Sequence, residues 1–572
     1  MDFDQITTHL GAFGRYQKFM YCLICIASVF SGIFTVISAI ILAVPEHRCK
    51  IPGYDNDTYE VQNERHQEYI KRYIPTSTDD TQPYDRCHIY AHDDWDNISH
   101  PENVTKIRCS SWVYDQNVFK ETFTSKHDLV CDSSYKTAMA TSLYFTGVLV
   151  GANVLGHLSD AFGRKISFIV GVILLIVSTL SLGLSPSYTF FCVCMVLTGG
   201  ASEGMYTPGL VIGLELVGPS KRTVTGTVTN YFFAVGMVIL TGLAYFIRHW
   251  KYVEIACAVP TSLFLLYWWL LPESPRWLIT NQRYLEAEQI LRKAAKVNRV
   301  SLREEVFDHK NWIDIKTEKT NKRKFFQLFK SRVLLIRMLI IWLNMCVINM
   351  TYYGLTLNTG YLDGDYYLNF FLSALVEFPA YTIPLLLMDR IGRKWLHFVC
   401  MIVGGTACFS TMFTILHLDQ SYQQVTVALA MLGKLGITAA FSIIIVYSAE
   451  LFPTVVRSAA ISTCSIFKWM GTVVAAYIVK SGNFIDGRFG RVFPMVVFGV
   501  VSVVAALLAL FLPETMDQDL PETIGDGIRF GTPAYKIKPD TSSVDILADK
   551  NVTCSENDDP GTEVSESYKY PE

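Results

Sequence analysis

Four ionisable side chains interrupt long apolar stretches of the chain, where a charge is costly. Glu203 and Glu377 each lie near the middle of such a stretch. Lys468 also lies near the middle of one, and Lys434 is somewhat off the middle of another. In hydrocarbon such groups face a cavity or each other. Four of them at similar depth predict one polar chamber for a small charged solute. Internal ion pairing without a ligand, for example of Glu203 with Lys468, is the alternative for each residue taken singly.

Aromatic residues lie on the same stretches and would complete such a site. The faces of Tyr and Trp rings attract quaternary ammonium groups, although ordinary helix packing must account for most of these residues. Trp469, which follows Lys468, and Tyr352 are the best candidates for ligand contact. The other aromatic residues near the charges are Tyr206, Tyr353, Tyr381, Phe441 and Tyr447.

The stretches that contain these residues have the length of membrane-spanning helices. Residues 19–44 run for about 26 positions without a charge, and about 20 helical residues cross a hydrocarbon layer of about 30 Å. Eleven similar runs follow, at 135–158, 166–184, 188–214, 223–247, 252–271, 333–357, 366–388, 395–418, 423–449, 458–479 and 492–512. The sequence therefore predicts an all-α membrane protein with twelve transmembrane helices, and this even count places both termini on one side.

Lys and Arg indicate which side that is. They are frequent in residues 272–332 and in the short links after the second, fourth, eighth and tenth spans. Because positively charged loops stay in the cytoplasm, we expect both termini to be cytoplasmic in a multi-pass protein of the plasma membrane. The long loop 45–134 then lies outside the cell.

The loop 45–134 has the features of an oxidising, extracellular environment. Its cysteines are expected to form two disulfides, in one of three possible pairings. Its Asn-X-Ser/Thr sequences are candidate glycosylation sites. The cysteines are Cys49, Cys87, Cys109 and Cys131, and the asparagines are Asn56, Asn97 and Asn103.

Three short motifs occur twice, in the same order and at a nearly constant offset. GHLSDAFGRK at 156–165 returns as MDRIGRK at 388–394, and LPES at 271–274 returns as LPET at 512–515. Between them, an acid and an arginine seven residues apart also recur. Such spacing indicates a duplicated unit of six helices.

The repeated acids and bases flank the cytoplasmic ends of the spans. They can pair when these ends close and separate when they part, which predicts a latch between two states. Simple retention of positive loops is the alternative, but it does not require the repeated acids. The first set is Asp160, Arg164, Glu215 and Arg222, and the second is Asp389, Arg393, Glu450 and Arg457.

These features divide the chain into five parts. A short N-terminal segment (1–18) precedes a first bundle (19–271) that includes the loop 45–134. A linker (272–332) with one or two amphipathic helices leads to the second bundle (333–512), and an acidic tail (513–572) is predicted to be disordered. No motif of an enzyme, nucleotide-binding domain, cofactor or metal site is present, and a net charge of −3 gives no bulk attraction to nucleic acid. Membrane lipid and a small charged organic solute are therefore the expected partners.

The repeated motifs resemble those of the major facilitator superfamily. PESPRWLI at 272–279 is similar to the organic cation, carnitine and organic anion transporters and to the sugar porters, and the long loop after the first span favours the former. PEHRC (45–49), DLVC (128–131), SALVEFPAY (373–381), GKLGITAAF (433–441) and YSAELFPTVVRS (447–458) are further matches. The acid of SALVEFPAY resembles the cation and carnitine branches.

Two positions depart from that pattern. The first is in the eleventh span, at the position of Trp469. Cation members of the family have an acid there, and carnitine or anion members have an arginine. This chain has its charge one residue earlier, at Lys468. Glu203 stands where cation members tend to have lysine. These changes represent either a reciprocal exchange of a salt bridge or a changed substrate.

The resemblance implies a transporter that works by alternating access. We expect Glu377 to face a substrate ammonium and Lys468 to meet a substrate carboxylate, which favours a cation or a zwitterion such as carnitine. An organic anion transporter that uses Lys434 and Lys468 is one alternative, and a non-transporting receptor built around the loop 45–134 is another. The sequence leaves open whether sodium or a proton is coupled to transport.

Overall fold

The structure is a computed structural model that describes residues 3–11, 13–76, 84–91, 105–300, 329–362, 364–417, 423–482, 488–532 and 535. Asn97 and Asn103 lie outside the described residues, as do 301–328 of the linker and most of the tail.

The described chain is mostly helical. Its first part contains α1 (Phe3–His9), α2 (Arg15–Ile41), α3 (Glu64–Tyr73), α4 (Phe123–Lys126), α5 (Tyr135–Phe162), α6 (Arg164–Gly183), α7 (Tyr188–Leu216), α8 (Arg222–Ile247), α9 (Trp250–Thr261) and α10 (Tyr267–Leu270). Two linker helices follow, α11 (Pro275–Thr280) and α12 (Tyr284–Asn298). The last part contains α13 (Arg332–Asn358), α14 (Tyr366–Leu375), α15 (Glu377–Ile391), α16 (Arg393–His417), α17 (Gln423–Leu451), α18 (Arg457–Ser481), α19 (Arg488–Ala509) and α20 (Ile524–Arg529).

The long helices follow the twelve predicted stretches to within a few residues. Among the described residues, 11 helical segments are long and apolar enough to cross a membrane. The remaining predicted span is α7, whose 29 residues are long enough but include Glu203 and several small residues. The sixth span is not one regular helix, because a 3₁₀ segment (Ser262–Leu266) joins α9 to α10.

Glycine allows pairs of long helices to approach closely within each half. A Cβ atom at Gly147 of α5 would lie 2.0 Å from the carbonyl oxygen of Val196 on α7. In the second half, a Cβ atom at Gly471 of α18 would lie 2.1 Å from the carbonyl oxygen of Cys346 on α13. Small residues at such crossings are typical of membrane bundles. These contacts fix the helices that carry the charged side chains of the site.

The loop between α2 and α5 forms a small subdomain at one end of the helices, which we call the loop face. Two antiparallel pairs of strands build it, β1 (His47–Cys49) with β4 (Trp112–Tyr114) and β2 (His88–Tyr90) with β3 (Lys106–Arg108). Of the three possible disulfide pairings, the structure has Cys49–Cys109 and Cys87–Cys131. The opposite end, which carries the repeated motifs, is called the motif face. Asn56 lies exposed in the subdomain.

A buried charge network holds the centre of this subdomain. The Arg48 guanidinium and the His66 ring both contact the Asp57 carboxylate, the latter at 2.9 Å. Burial alone would raise the pKa of Asp57, but hydrogen bonds from Arg48 and from the Ile51 N–H outweigh it and lower the pKa. His47 is also buried, and burial together with the charge of Arg86 lowers its pKa to about 4.

The first residues of the C-terminal tail are folded, although the sequence predicted disorder over 513–572. Residues 513–532 are described and include α20. The Thr454 N–H donates to the Pro521 carbonyl, and the Arg337 guanidinium donates to the Gly527 carbonyl. Composition suggested a solvated tail, but backbone carbonyls of this stretch serve as acceptors for the motif face.

Candidate substrate site

Glu377 lies at a break in the eighth span. α14 ends at Leu375 and α15 begins at Glu377, although Val376 keeps a helical conformation. Pro379, in the first turn of α15, has no N–H to donate to the Leu375 carbonyl, so the helical ladder is interrupted there. Glu377 is fully buried. Its Oε1 accepts a hydrogen bond of 2.6 Å from the Tyr352 hydroxyl, and its Oε2 accepts one of 3.3 Å from Tyr381.

Lys434 of α17 completes this cluster. Its Nζ lies 3.0 Å from Glu377 Oε1 and donates to Ser373 Oγ at 2.7 Å. The same ammonium lies 5.3 Å from the centre of the Tyr352 ring, within range of a cation–π contact. Phe441 stacks on the other side of the cluster, 6.4 Å from the Tyr352 ring. Glu377 is therefore paired within its own half of the protein.

Lys468 and Glu203 form a second, looser group. The Lys468 ammonium lies 4.2 Å from the centre of the Trp469 ring. Glu203, on α7, accepts a hydrogen bond of 2.8 Å from Thr207, and its charge acts on Lys468. Both are described residues, and no ion pair within 4.0 Å joins them. The salt bridge considered between these two residues is thus absent from this state of the protein. Tyr206 is half-buried one turn after Glu203.

An aromatic layer connects the two groups across the halves. Phe145 of α5 lies 4.9 Å from Tyr353 of α13 and 6.5 Å from Trp469 of α18, measured between ring centres. The ring of Tyr353 also lies 4.9 Å from that of Tyr352, whose hydroxyl donates to Glu377. The Trp469 indole N–H is buried and has no hydrogen-bond partner among the described residues. The layer therefore brings the predicted residues of both halves together, and the Trp469 N–H remains available as a hydrogen-bond donor.

The sequence analysis missed three residues that the structure places in this region. Ser373 lies four residues before Glu377, and this spacing puts both on one side of a helical segment. Tyr231 of α8 donates to or accepts from Thr382 at 2.7 Å and stacks on Phe378. Of these residues, only Ser373 could have been identified from the sequence, by its spacing from Glu377. Phe145 and Tyr231 acquire their positions from the contact between halves, which no local pattern records.

A cavity of about 830 Å³ opens above the aromatic layer at the loop face. Thr141 of α5, Asn358 of α13 and Ala476 of α18 line its floor, and residues of the loop subdomain line its walls. Next to Thr141, the Ser142 hydroxyl donates to the Val473 carbonyl between the halves. The predicted charged residues do not line this cavity. The aromatic layer and the Ser142 contact lie between the cavity and the charged groups.

At the motif face of the first half, Arg164 contacts two other predicted latch residues. Arg164 lies 3.1 Å from Asp160 and 3.8 Å from Glu215. Arg222 donates to the Leu214 carbonyl. The Glu273 carboxylate accepts from the Arg164 N–H at 2.9 Å and caps the N-terminus of α6.

The second half repeats this arrangement with shorter bonds. Arg393 lies 3.0 Å from Asp389 and 3.1 Å from Glu450. Arg457 donates to the Phe452 carbonyl. The Glu514 carboxylate accepts from the Arg393 N–H at 2.8 Å, as Glu273 does in the first half. In each half, the ion pairs of Arg164 and Arg393 join residues of that same half.

The glycine of each repeated motif allows the capping carboxylate to come close to the backbone. Gly163 has φ +112° and Gly392 has φ +94°, a region that favours glycine. A Cβ atom at Gly163 would lie 2.3 Å from a carboxylate oxygen of Glu273, and one at Gly392 would lie 2.6 Å from Glu514. The LPES and LPET repeats were therefore the signal for two capping acids that the sequence analysis did not assign.

Comparisons with known proteins agree with this architecture. The family model for "Sugar (and other) transporter" matches residues 107–524. An organic cation transporter protein of Drosophila melanogaster is 34% identical over 93% of this chain and 95% of its own length. Organic cation/carnitine transporter 2 of Homo sapiens is 33% identical over 92% of this chain and 94% of its own.

Solved structures show the same fold at low identity. An inward open, partially occluded structure of the xylose transporter XylE from E. coli is 15% identical, covers 88% of this chain and 100% of that chain, and has a TM-score of 0.60. The twelve helices are thus those of the major facilitator fold, in two six-helix repeats, and the relatives are transporters rather than enzymes. The chain therefore belongs to the sugar (and other) transporter family of the major facilitator superfamily and, within it, to the organic cation and carnitine transporters.

Proposed function

We propose that the protein moves small organic cations or zwitterions across the plasma membrane by alternating access. One observation supports this most strongly: a fully buried carboxylate, Glu377, lies among aromatic side chains near the contact between the halves. A buried carboxylate with aromatic faces around it is the arrangement that recognises an organic ammonium. The names of the relatives, organic cation and organic cation/carnitine transporters, agree with this class of substrate.

The other predicted residues have roles in the same proposal. Lys468 meets a substrate carboxylate where one is present, because its ammonium is outside any ion pair of the described residues. Tyr352, Phe441 and Trp469 supply the aromatic surround. Glu203 and Tyr206 add a second polar group from the first half. Movement of the halves then exposes this region to each face in turn, while the motif-face clusters rearrange.

We further propose that the loop face is extracellular and that both termini are cytoplasmic. The distribution of Lys and Arg supports this orientation, as do two disulfides in the loop subdomain. Asn56 is exposed there and is available for glycosylation. Transport of organic anions is less favoured, because the relatives are named for organic cations and carnitine.

Uptake by cells that express the protein tests the proposal. The probes are radiolabelled carnitine, tetraethylammonium and an aromatic anion, each with and without sodium and a pH gradient. We expect uptake of the first two, and a large loss of both in Glu377→Gln at equal surface expression. Glu377→Asp, which keeps the charge, is the matched control and should retain part of the uptake. Uptake of the anion alone, or undiminished cation uptake in Glu377→Gln, would refute the assigned site.

A further inference from the structure

Lys434 occupies the position that the proposed substrate would need. Its ammonium contacts a carboxylate oxygen of Glu377 at 3.0 Å, the Ser373 hydroxyl at 2.7 Å and the face of Tyr352 at 5.3 Å. An acid, a hydroxyl acceptor and an aromatic face are the groups that hold an organic ammonium. We call Glu377, Ser373 and Tyr352 the cradle. The chain thus supplies its own occupant for the cradle.

A second cation in this site costs free energy. Lys434 is 1% exposed and Glu377 is 0% exposed, so water screens neither charge. Two ammonium groups on one buried carboxylate repel each other, and the site would carry a net positive charge. A substrate ammonium that reaches Glu377 must therefore displace Lys434. The lysine has four methylene groups and can withdraw along them without a change of backbone.

We propose that Lys434 is an internal competitor of the substrate and sets the affinity and selectivity of the cradle for ammonium compounds. This inference rests on the proposed function, because it assumes that Glu377 receives the substrate ammonium. The apparent affinity for a cation is then reduced by the fraction of molecules in which Lys434 has left the cradle. If that fraction is about one in ten, binding is about tenfold weaker than the cradle allows.

Selectivity follows from the Ser373 contact. The Lys434 ammonium has N–H groups and donates to Ser373, whereas a quaternary ammonium has no N–H group to donate. A quaternary substrate must therefore replace a hydrogen bond that it cannot form. A primary amine can donate the same hydrogen bond to Ser373 and so replaces the one that Lys434 loses. Lys434 thus disfavours quaternary compounds more than primary amines.

Equilibrium binding to the purified full-length protein in detergent tests this proposal. Radiolabelled tetraethylammonium is the quaternary probe, and a primary alkylammonium of similar size is its competitor. We expect Lys434→Gln to bind tetraethylammonium about tenfold more tightly than the wild type, and Lys434→Arg, which retains a charge, to show no such gain. The gain should disappear in Lys434→Gln/Glu377→Gln, because the cradle then lacks its carboxylate.

Lys468→Gln is the matched control for loss of a positive charge. Lys468 lies over Trp469 and does not contact the cradle, and tetraethylammonium has no carboxylate for Lys468 to meet, so this variant measures the effect of removing a positive charge from outside the cradle. A gain in Lys434→Gln no larger than in Lys468→Gln would overturn the inference. Unchanged or weaker tetraethylammonium binding in Lys434→Gln would do so as well. Weaker carnitine binding with unchanged tetraethylammonium binding would instead assign Lys434 to the substrate carboxylate.

Ser373→Ala covers the case in which Lys434→Gln does not fold. It removes one hydrogen bond from Lys434 and keeps both charges of the buried pair. We expect tetraethylammonium to bind up to about fivefold more tightly, the equivalent of a hydrogen bond of about 1 kcal/mol, and the primary amine to gain less. Equal changes for both probes would overturn the inference. A wild-type protein that binds neither probe would refute the proposed function, which is a separate and distinguishable result.

Discussion

The hydrogen bond from Tyr352 to Glu377 is expected to contribute strongly to the stability of the second half. Donor and acceptor are 7% and 0% exposed, and their oxygens lie 2.6 Å apart. Hydrogen bonds to charged groups contribute about 1.5–3 kcal/mol. Tyr352→Phe keeps the ring, and with it the contact to Lys434, but removes this bond. We therefore expect a loss of about 1.5–3 kcal/mol in the free energy of unfolding.

Tyr353→Phe is the matched control. Tyr353 is the next residue, is also 7% exposed and lies in the same aromatic group. Its hydroxyl makes no hydrogen bond within the described part of the chain, so its removal should change the free energy of unfolding by about 0.5 kcal/mol or less.

Thermal unfolding of the purified variants in detergent measures the difference. If about 200 residues unfold together, the lost bond lowers Tm by roughly 3–10 °C in Tyr352→Phe, and Tyr353→Phe stays near the wild type. Equal shifts in the two variants would refute the assigned bond. In Glu377→Gln the effect of Tyr352→Phe should shrink, because the acceptor no longer carries a charge.

Three further predictions concern other parts of the fold. Non-reducing peptide mapping should find the pairs Cys49–Cys109 and Cys87–Cys131, and either other pairing would contradict the structure. Burial and the Arg86 charge lower the pKa of folded His47 from 6.5 to about 4, so the loop subdomain should be fully stable above pH 6.5 and lose stability as the pH falls from 6.5 to 4. Slower hydrogen exchange of the β1–β4 pair at pH 5 in His47→Gln than in the wild type would agree, and equal rates would not. Gly392→Ala should lower stability by about 1–3 kcal/mol because of its positive φ and the contact with Glu514, whereas Gly226→Ala, where a Cβ atom meets nothing within 4 Å, should be neutral or stabilising in the same unfolding assay.

The sequence predicted the spans well because each one depends on local composition. Apolar length defines a membrane helix almost residue by residue, and the duplicated motifs indicated the two halves. The break at Val376 was missed even though Pro379 was visible in SALVEFPAY. A proline in the first turn of a helix is compatible with an uninterrupted apolar run, so the run alone predicted a single helix over 366–388.

The composition of the site could be predicted, but its pairing could not. Glu203, Glu377, Lys434 and Lys468 were all identified by the cost of a charge in hydrocarbon. Which acid meets which base depends on the rotation of each helix and on contacts between helices. The pairing of Glu203 with Lys468, considered as an example of internal ion pairing, therefore had no physical advantage over that of Glu377 with Lys434, which the structure joins.

The two kinds of charge cluster in this protein differ in how readily they can exchange partners. At the motif face, the side chains of Asp160 and Asp389 are 72% and 80% exposed, so water can replace each ion pair at a cost of about 1 kcal/mol or less. Glu377 is 0% exposed, and separation of Lys434 without a replacement leaves a buried charge. The Asp160–Arg164 and Asp389–Arg393 pairs can therefore open at little cost. The Glu377–Lys434 pair, in contrast, is expected to be open in only a small fraction of molecules, and a substrate cation that takes the place of Lys434 stabilises this open arrangement.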